Sequence, residues 1–293
     1  MAYCPYVESQ TEKQMYSRLF QFMIPLVAVL AIIGFSALAQ EDHSAMEHEK
    51  APLDKMGITA TVTPDALVKG QERAFTVKLS KADMPVSLAA LEERHTQKIH
   101  LLVVDESLVD YHHVHPVAGA DAGSYNFSFM PQSDHNYVVY ADVKLLNNGA
   151  QMIPVKLKGA APCAQDCTDR TAALKASTAG VTGKVTFADA AIKAGTPVNA
   201  EVELTGEDGK PLQDLEPVMR AYGHIVGFYE GLTDVAHMHP MGKEPSKDSD
   251  RSASPLKFML HPEHAGYMKF FVQIRRGGKD VFLPFGVNIA KAD

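Results

Sequence analysis

The chain has 293 residues, of which 46% are hydrophobic and 22% charged, a balance typical of a folded globular protein rather than a disordered one. This length is enough for two domains of about 100–150 residues each. The formal net charge of −7, without any dense Lys/Arg tract, argues against nucleic acid as a partner.

The N-terminal region combines a basic residue, an apolar segment and a small-residue ending. Arg18 precedes the apolar segment 22–39, which ends in Ala37-Leu38-Ala39. This pattern is typical of a secretory signal peptide, so we expect residues 1–39 to be removed on export, with Met15 as an alternative start of translation. The other interpretation is an uncleaved anchor, because about 18 apolar residues can span a bilayer. In either case the expected location is periplasmic or secreted, and a membrane is contacted only through such an anchor.

From residue 57 the sequence alternates apolar and polar residues in short runs, as at 58–63, 75–79 and 198–204. Such alternation predicts half-buried antiparallel strands, and about six short strands per 100 residues predict a β-sandwich. We therefore expect an all-β protein with two tandem Ig-like antiparallel β-sandwich domains. The predicted organisation is a flexible tail with His and Met residues at 40–56, a first repeat at 57–158, a linker with a CxxxC motif at 159–180 and a second repeat at 181–293.

The second repeat carries the same histidine pattern as the first. His100 is followed by His113, Val114, His115 and Pro116, and His224 is followed by His237, Met238, His239 and Pro240. Each residue of the second set lies 124 residues after its counterpart, and later matches such as Tyr137 with Tyr267 lie 130 apart. A repeated H-x12-H-x-H-P in identical register indicates a tandem duplication.

In each repeat the first histidine lies at a strand that can form a hairpin with the next strand. If the first turn is centred between Glu106 and Ser107, His100 lies directly opposite His113, and opposed Cβ atoms are about 4.5–5.5 Å apart. His115 is two residues further along and points to the same face. The corresponding register in the second repeat brings its three histidines together in the same way.

Three neutral imidazoles on a rigid sheet suit Cu(II), Zn(II) or Ni(II). Copper is the leading candidate, because the Irving–Williams order places copper above zinc at such a site, and zinc is the alternative. Met238 is included as a soft ligand, and Met241 and Met259 are further candidates. The predicted metal ligands are His100, His113, His115, His224, His237, His239 and Met238.

Two aspartates and two further histidines lie near these histidine sets in the sequence. Asp110 and Asp234 match at the offset of 124 and are candidates for orienting a ligand imidazole. His95 and His112 have no histidine counterparts, and we assign them no role. The competing interpretation of all the repeated histidines is that they only cap a structural hydrogen-bond network.

Cys163 and Cys167 are the cysteines that remain once the signal peptide is removed. In an oxidising compartment such a pair forms a disulfide by default. Their spacing resembles the CxxxC copper motif of cytochrome-oxidase assembly factors, and on a helix the reduced pair would face one side and could bind Cu(I).

The segment 221–289 resembles a family of largely uncharacterised bacterial exported proteins. The resemblance lies in Ala236-His237-Met238-His239-Pro240, Gly266-Tyr267-Met268-Lys269-Phe270-Phe271 and Leu283-Pro284-Phe285-Gly286, with 98–157 as a more divergent copy. It implies Ig-type β-sandwiches and an association with heavy-metal handling.

The function expected from these observations is an exported metal-binding protein, with copper as the leading candidate metal, one site per repeat and a role in buffering or delivery. Its expected partners are the metal ion and an envelope metal-handling protein. The alternative is a non-enzymatic Ig-like interaction module of the cell envelope with structural histidines. We do not expect an enzyme, because the sequence offers no general base beside the histidines, no nucleophile motif and no phosphate-binding loop.

Overall fold

The computed structural model describes residues 57–146, 148–238 and 240–292. The predicted signal peptide and tail, 1–56, lie outside this part. The described chain is all-β, with 3₁₀ turns at Leu88–Ala90 and Glu230–Leu232. Its strands are β1 (Ile58–Thr63), β2 (Arg73–Lys81), β3 (Met84–Pro85), β4 (Ile99–Asp105), β5 (Tyr111–Val114), β6 (Val117–Ala118), β7 (Ser124–Phe129), β8 (Tyr137–Lys144), β9 (Ala150–Leu157), β10 (Lys175–Thr178), β11 (Val181–Phe187), β12 (Val198–Thr205), β13 (His224–Tyr229), β14 (Val235–Met238), β15 (Pro240–Met241), β16 (Leu256–Leu260), β17 (Gly266–Arg276) and β18 (Lys279–Ile289).

The strands form two sandwiches with the same topology. In the first, a sheet of order β1-β2-β7-β6 with β3 beside β2 lies against a sheet of order β5-β4-β8-β9. In the second, β11-β12-β16-β15 with β10 beside β11 lies against β14-β13-β17-β18. All these pairs are antiparallel, and the order of strands is that of an Ig-like sandwich. The prediction of two tandem Ig-like sandwiches is confirmed.

Alternation of side chains along the strands builds a separate core in each sandwich. In β2, Phe75, Val77 and Leu79 are buried, whereas Thr76 and Lys78 between them are more exposed. Apolar residues at every second position therefore face the opposing sheet. The largest fully buried side chains of these cores are Phe75, Leu79, Leu91, Leu101 and Tyr137 in the first sandwich and Phe258, Phe270 and Phe285 in the second.

A third apolar cluster joins the two sandwiches, and we call it the sandwich interface. Strand β4 is buried along its whole length, because Leu101 and Val103 face the first core while Leu102 and Val104 face this cluster. Buried strands of this kind carry apolar residues on both faces. The members of the interface are Leu102, Val104, Leu108, Tyr111, Val138, Tyr140, Val226, Phe228, Val235, Tyr267 and Phe271.

Aromatic contacts and the linker fix the two sandwiches against each other. The ring of Tyr111 stacks on Phe271 with centroids 4.7 Å apart, and Tyr140 donates its hydroxyl hydrogen to the carbonyl of Leu232 at 2.8 Å. In the linker, the Asp169 amide donates to Ser107 of the first sandwich, and its carboxylate pairs with Lys269 of the second at 2.7 Å. Strand β10 also lies inside the predicted linker, so this segment takes part in the folded structure.

Strands β8 and β17 are equivalent in the two sandwiches, but their residues correspond with a shift of one from the match of Tyr137 with Tyr267 seen in the sequence. Asp105 pairs with Tyr137, and its counterpart Tyr229 pairs with Met268, so Met268 rather than Tyr267 corresponds to Tyr137. A shift of one residue moves a side chain to the other face of a strand. Accordingly, Tyr137 and Met268 lie in the cores, whereas Tyr267 belongs to the sandwich interface.

No helix in the described ranges is long and apolar enough to cross a membrane.

Candidate metal centre

The hairpin of β4 and β5 positions the first histidine set. The predicted register is wrong by two residues, because His113 lies opposite Leu102 and not opposite His100. The turn is longer than expected, since the Asp105 carboxylate accepts hydrogen bonds from the amides of Val109 and Asp110, both at 2.9 Å. A shift of two residues keeps each side chain on its face, so His100 and His113 still point to the same side of the sheet.

The hairpin of β13 and β14 repeats this register. His237 lies opposite Val226, as His113 lies opposite Leu102. The expected pairing of His224 with His237 is therefore wrong by the same two residues. The backbone position of His237 is thus that of His113, while the His237 side chain and the whole of His239 lie outside the described part of the structure.

The three histidines of the first repeat meet around one point, as the sequence predicted. His100 Nδ1 lies 3.2 Å from His113 Nε2 and 3.1 Å from His115 Nε2. His100 is 1% exposed, and the other two are partly buried. Two nitrogens bound to one tetrahedral metal at about 2.0–2.1 Å lie about 3.3 Å apart. The spacing of the ring nitrogens therefore fits a shared cation.

Hydrogen bonds on the far side of two rings fix which nitrogen carries the proton. His100 Nε2 donates to the carbonyl of Arg94 at 3.0 Å, and His113 Nδ1 donates to Gln273 Oε1 at 2.9 Å. Gln273 is itself oriented, because its Nε2 donates to Asp280 at 3.0 Å. In the neutral rings, His100 Nδ1 and His113 Nε2 therefore present lone pairs to each other. A cation can lie between such nitrogens, and a hydrogen on His115 Nε2 can be donated to His100 Nδ1.

Burial keeps these imidazoles neutral. It lowers the pKa of His100 and of His113 to about 3, and repulsion from the neighbouring imidazoles of His113 and His115 respectively adds to the effect. The pKa of His115 is lowered as well, first by burial. At neutral pH the rings are therefore deprotonated, which is the state that binds a metal ion.

His224 of the second repeat is held in the same way as His100. Its Nε2 donates to the carbonyl of Val218 at 3.0 Å, and Val218 is the counterpart of Arg94. Burial, followed by the charge of His95, lowers the pKa of His224 to about 3. The ring centroid of His224 lies 6.3 Å from that of His113, so His224 adjoins the first histidine set across the sandwich interface.

His95 is a residue of this region that the sequence reasoning missed. It stands in a two-residue turn with positive φ, 48° at His95 and 69° at Thr96, closed by hydrogen bonds between Arg94 and Gln97. Its ring lies 5.6 Å from His224 and 6.2 Å from His100. The counterpart of His95 at the offset of 124 is Met219, another residue type that binds copper. This match was a signal that could have identified the position.

Met238, predicted as a soft ligand, is placed elsewhere. It lies in strand β14, is 6% exposed and packs in the core of the second sandwich. Neighbouring residues of a strand point to opposite faces, so Met238 faces away from the interface side of its sheet. Met241 and Met259 are exposed on the other sheet of that sandwich.

The two aspartates predicted to orient ligand imidazoles contact other histidines. Asp110 accepts hydrogen bonds from His112, at 3.0 Å, and from the hydroxyl of Tyr137. Asp234 pairs with His264 at 3.2 Å. The rings of the candidate site have other acceptors. His100 donates to the carbonyl of Arg94 and His224 to the carbonyl of Val218, whereas His113 donates to the side-chain oxygen of Gln273.

Cys163 and Cys167 form a disulfide, as predicted for an oxidising compartment. A ring nitrogen of His135 lies within 4.8 Å of both sulfurs. His135 Nδ1 donates to the carbonyl of Ala161 at 3.0 Å, which attaches the ring to the linker.

Comparison with known proteins identifies the family of the chain. The chain belongs to DUF8832, described as a domain of unknown function, whose model matches residues 52–159 and 176–291. The two matched segments correspond to the two repeats. No curated protein sequence matches the chain.

Similar solved structures include the adhesin FdeC of Escherichia coli, with 14% identity and a TM-score of 0.27 over 82% of this chain and 66% of FdeC. The adhesin InvE of Yersinia pseudotuberculosis has 9% identity and a TM-score of 0.24 over 80% of this chain and 59% of InvE. Salmonella alpha-2-macroglobulin has 12% identity and a TM-score of 0.23 over 83% of this chain and 15% of its own. The chain thus spans less than two thirds of each of these proteins.

Proposed function

We propose that this protein is an exported, non-enzymatic protein that binds a transition-metal cation, copper in the first place and zinc as the alternative. His100, His113 and His115 hold one ion, and the second-repeat set of His224, His237 and His239 contributes further ligands. The observation that carries the proposal is the convergence of the ring nitrogens of His100, His113 and His115, with His100 Nδ1 3.2 Å from His113 Nε2. The ion is buffered or passed on to another metal-handling protein of the envelope.

The chemistry of the three rings favours copper or zinc over harder cations. Imidazole nitrogen suits both metals, whereas magnesium and calcium prefer oxygen ligands. Each fixed ring donates its other hydrogen to a carbonyl or amide oxygen, which raises the basicity of the metal-binding nitrogen. Burial has already removed the competing protons, so the ion does not have to displace them at neutral pH.

The burial of the rings supports storage or transfer of an ion rather than catalysis on a substrate. His100 and His224 are each 1% exposed, so a substrate has little access to them. His115 is the least buried of the three histidines, so an ion would reach the site past His115. The disulfide between Cys163 and Cys167 supports an oxidising, exported location.

The experiment is a titration of the purified, metal-free protein with Cu(II) and Zn(II), followed by metal analysis. We expect tight binding of Cu(II), and loss of Cu(II) binding at the first site in the double variant His113→Ala, His115→Ala, because two of its three imidazole ligands are removed. His261→Ala is the matched control, because His261 is exposed and is not a predicted ligand. Wild-type protein that binds neither ion more tightly than the micromolar range would disprove the proposal.

A second candidate function is an interaction module in which the histidines are structural. It is supported by the fold, since the described chain consists of two Ig-like sandwiches packed into one unit. A fold alone hosts many functions, so the distinction lies with the histidines. Binding of an envelope partner that persists in the presence of a chelator and in the double variant would favour this function.

A further inference from the structure

Five histidine rings form a connected group where the two sandwiches meet. Within the first set, the ring centroids of His100, His113 and His115 lie 4.9–5.4 Å apart. His224 of the second sandwich lies 5.6 Å from His95 and 6.3 Å from His113. His95 in turn lies 6.2 Å from His100, which closes the group.

These distances divide the group into two positions for a cation. Metal–nitrogen bonds of about 2.0–2.1 Å place the centroids of two imidazoles on one tetrahedral ion about 5 Å apart, and of two opposed imidazoles about 6 Å apart. The three rings of the first set match the smaller value. The 5.6 Å between His95 and His224 lies within the range, so these two rings can share a second ion.

We infer that His95 and His224 form a second cation position beside the first histidine set, so that one metal centre spans the sandwich interface. The inference rests on the proposed function and changes its arrangement, from one independent site per repeat to two adjoining positions. His95 comes from the first sandwich and His224 from the second, so the second ion is bound by both.

The tautomer of His224 agrees with this assignment. Its Nε2 donates to the carbonyl of Val218, as the Nε2 of His100 donates to the carbonyl of Arg94, so the two rings are held in the same tautomer. His95 stands at the tip of a tight turn that is anchored on both sides by hydrogen bonds between Arg94 and Gln97 at 2.8 and 2.9 Å. The carbonyl of Arg94 also holds His100, so the same turn supports a ligand at each of the two positions.

The centre would also be a link between the two sandwiches. Gln273 of the second sandwich already holds His113 of the first, at 2.9 Å. An ion bound by His95 and His224 binds only when the sandwiches are docked, and it therefore stabilises the docked arrangement. The metal ion would thus be a structural element of the sandwich interface.

The test uses Cu(II), wild-type protein, His95→Ala, His224→Gln and the control His261→Ala. We expect the wild type and the control to bind two Cu(II) ions whose electron paramagnetic resonance spectrum is broadened by their mutual dipolar interaction. His95→Ala should bind one ion fewer and give the narrow spectrum of an isolated Cu(II). His95 lies in a half-exposed turn, so this variant keeps the test valid even if the buried substitution His224→Gln impairs folding.

Two outcomes would overturn the inference while the proposed function stands. One is a wild-type protein with two Cu(II) ions whose spectra are those of isolated ions. The other is His95→Ala protein with unchanged stoichiometry and spectrum. A wild-type protein that binds no Cu(II) overturns both, and it is recognised at once in the titration of the unmodified chain.

Discussion

The two sandwiches carry different residues at the same position beside their first histidine. In β8 this residue is Asp142, opposite His100, and in β17 it is Gln273, opposite His224. Asp142 pairs with Arg94 of its own sandwich at 2.7 Å, whereas Gln273 reaches across the sandwich interface to His113. The duplicated fold is therefore symmetric in its strands and asymmetric in the support that it gives to the histidines.

This difference shows that the second sandwich is part of the first one's site. A charged residue at position 273 would have to be neutralised within the interface, whereas an amide can donate to Asp280 and accept from His113 at the same time. Arg275 in turn holds Asp280 at 2.6 Å. The support therefore runs from the edge of the second sandwich to the Nδ1 atom of His113 in the first.

The largest effect should come from the apolar part of the interface, where the repeats also differ. Phe228 corresponds to Val104, both are fully buried, and Phe228 contacts Tyr111 with ring centroids 5.3 Å apart. We expect Phe228→Ala to lower the free energy of unfolding by about 3–5 kcal/mol and Val104→Ala by about 2 kcal/mol. Urea denaturation checks both values. Equal, small losses below about 1 kcal/mol would contradict the packing of the two sandwiches, and Met84→Ala, at an exposed residue, is the control.

The fold and the shared face of the histidines were predictable from the sequence, because both depend on the period of two in a strand. The run Leu101-Leu102-Val103-Val104 also indicates a strand buried on both faces, although it does not say what covers the second face. The sequence did not predict what covers the second face of this strand. The covering surface is the equivalent sheet of the second repeat, and no local sequence pattern indicates that the two sheets pack together.

Two features of the site depended on contacts that spacing does not reveal. The hairpin register follows from the Asp105 carboxylate, which binds two backbone amides and lengthens the turn. His95 comes close to His224 only because a turn with positive φ projects it toward the other sandwich. Gln273 is 160 residues away from His113 in sequence and gave no signal as its partner.

The next effect is the pH dependence of the metal-free protein. The pKa of His100, His113 and His224 is lowered to about 3 in the folded chain, against about 6.5 in the unfolded chain. Between these values the unfolded chain binds more protons, so stability is full above pH 6.5 and falls as the pH is lowered. The expected slope is about 1.4 kcal/mol per pH unit for each independent histidine.

Urea denaturation from pH 7 to pH 4.5 measures how the free energy of unfolding depends on pH. His224→Gln should reduce this slope by the contribution of one histidine, about 1.4 kcal/mol per pH unit. The exposed His261 serves as the control, because His261→Gln should leave the slope unchanged. A free energy of unfolding that stays constant over this range would show that the buried imidazoles are not neutral. It would also show that the two repeats do not share a set of buried, neutral histidines.

The smallest effect tests the asymmetry itself. Gln273→Leu keeps the size of the side chain and removes the acceptor of His113 Nδ1, so the ring is free to take the other tautomer. Loss of a hydrogen bond behind a metal-binding histidine weakens affinity by about 10–100-fold, and we expect the lower value for Cu(II) at the first site. The exposed Gln213→Leu should bind as wild type. If Gln273→Leu also binds as tightly as wild type, the second sandwich does not support the first one's histidines. The two repeats would then be equivalent in function as well as in fold, with each histidine set supported only from within its own sandwich.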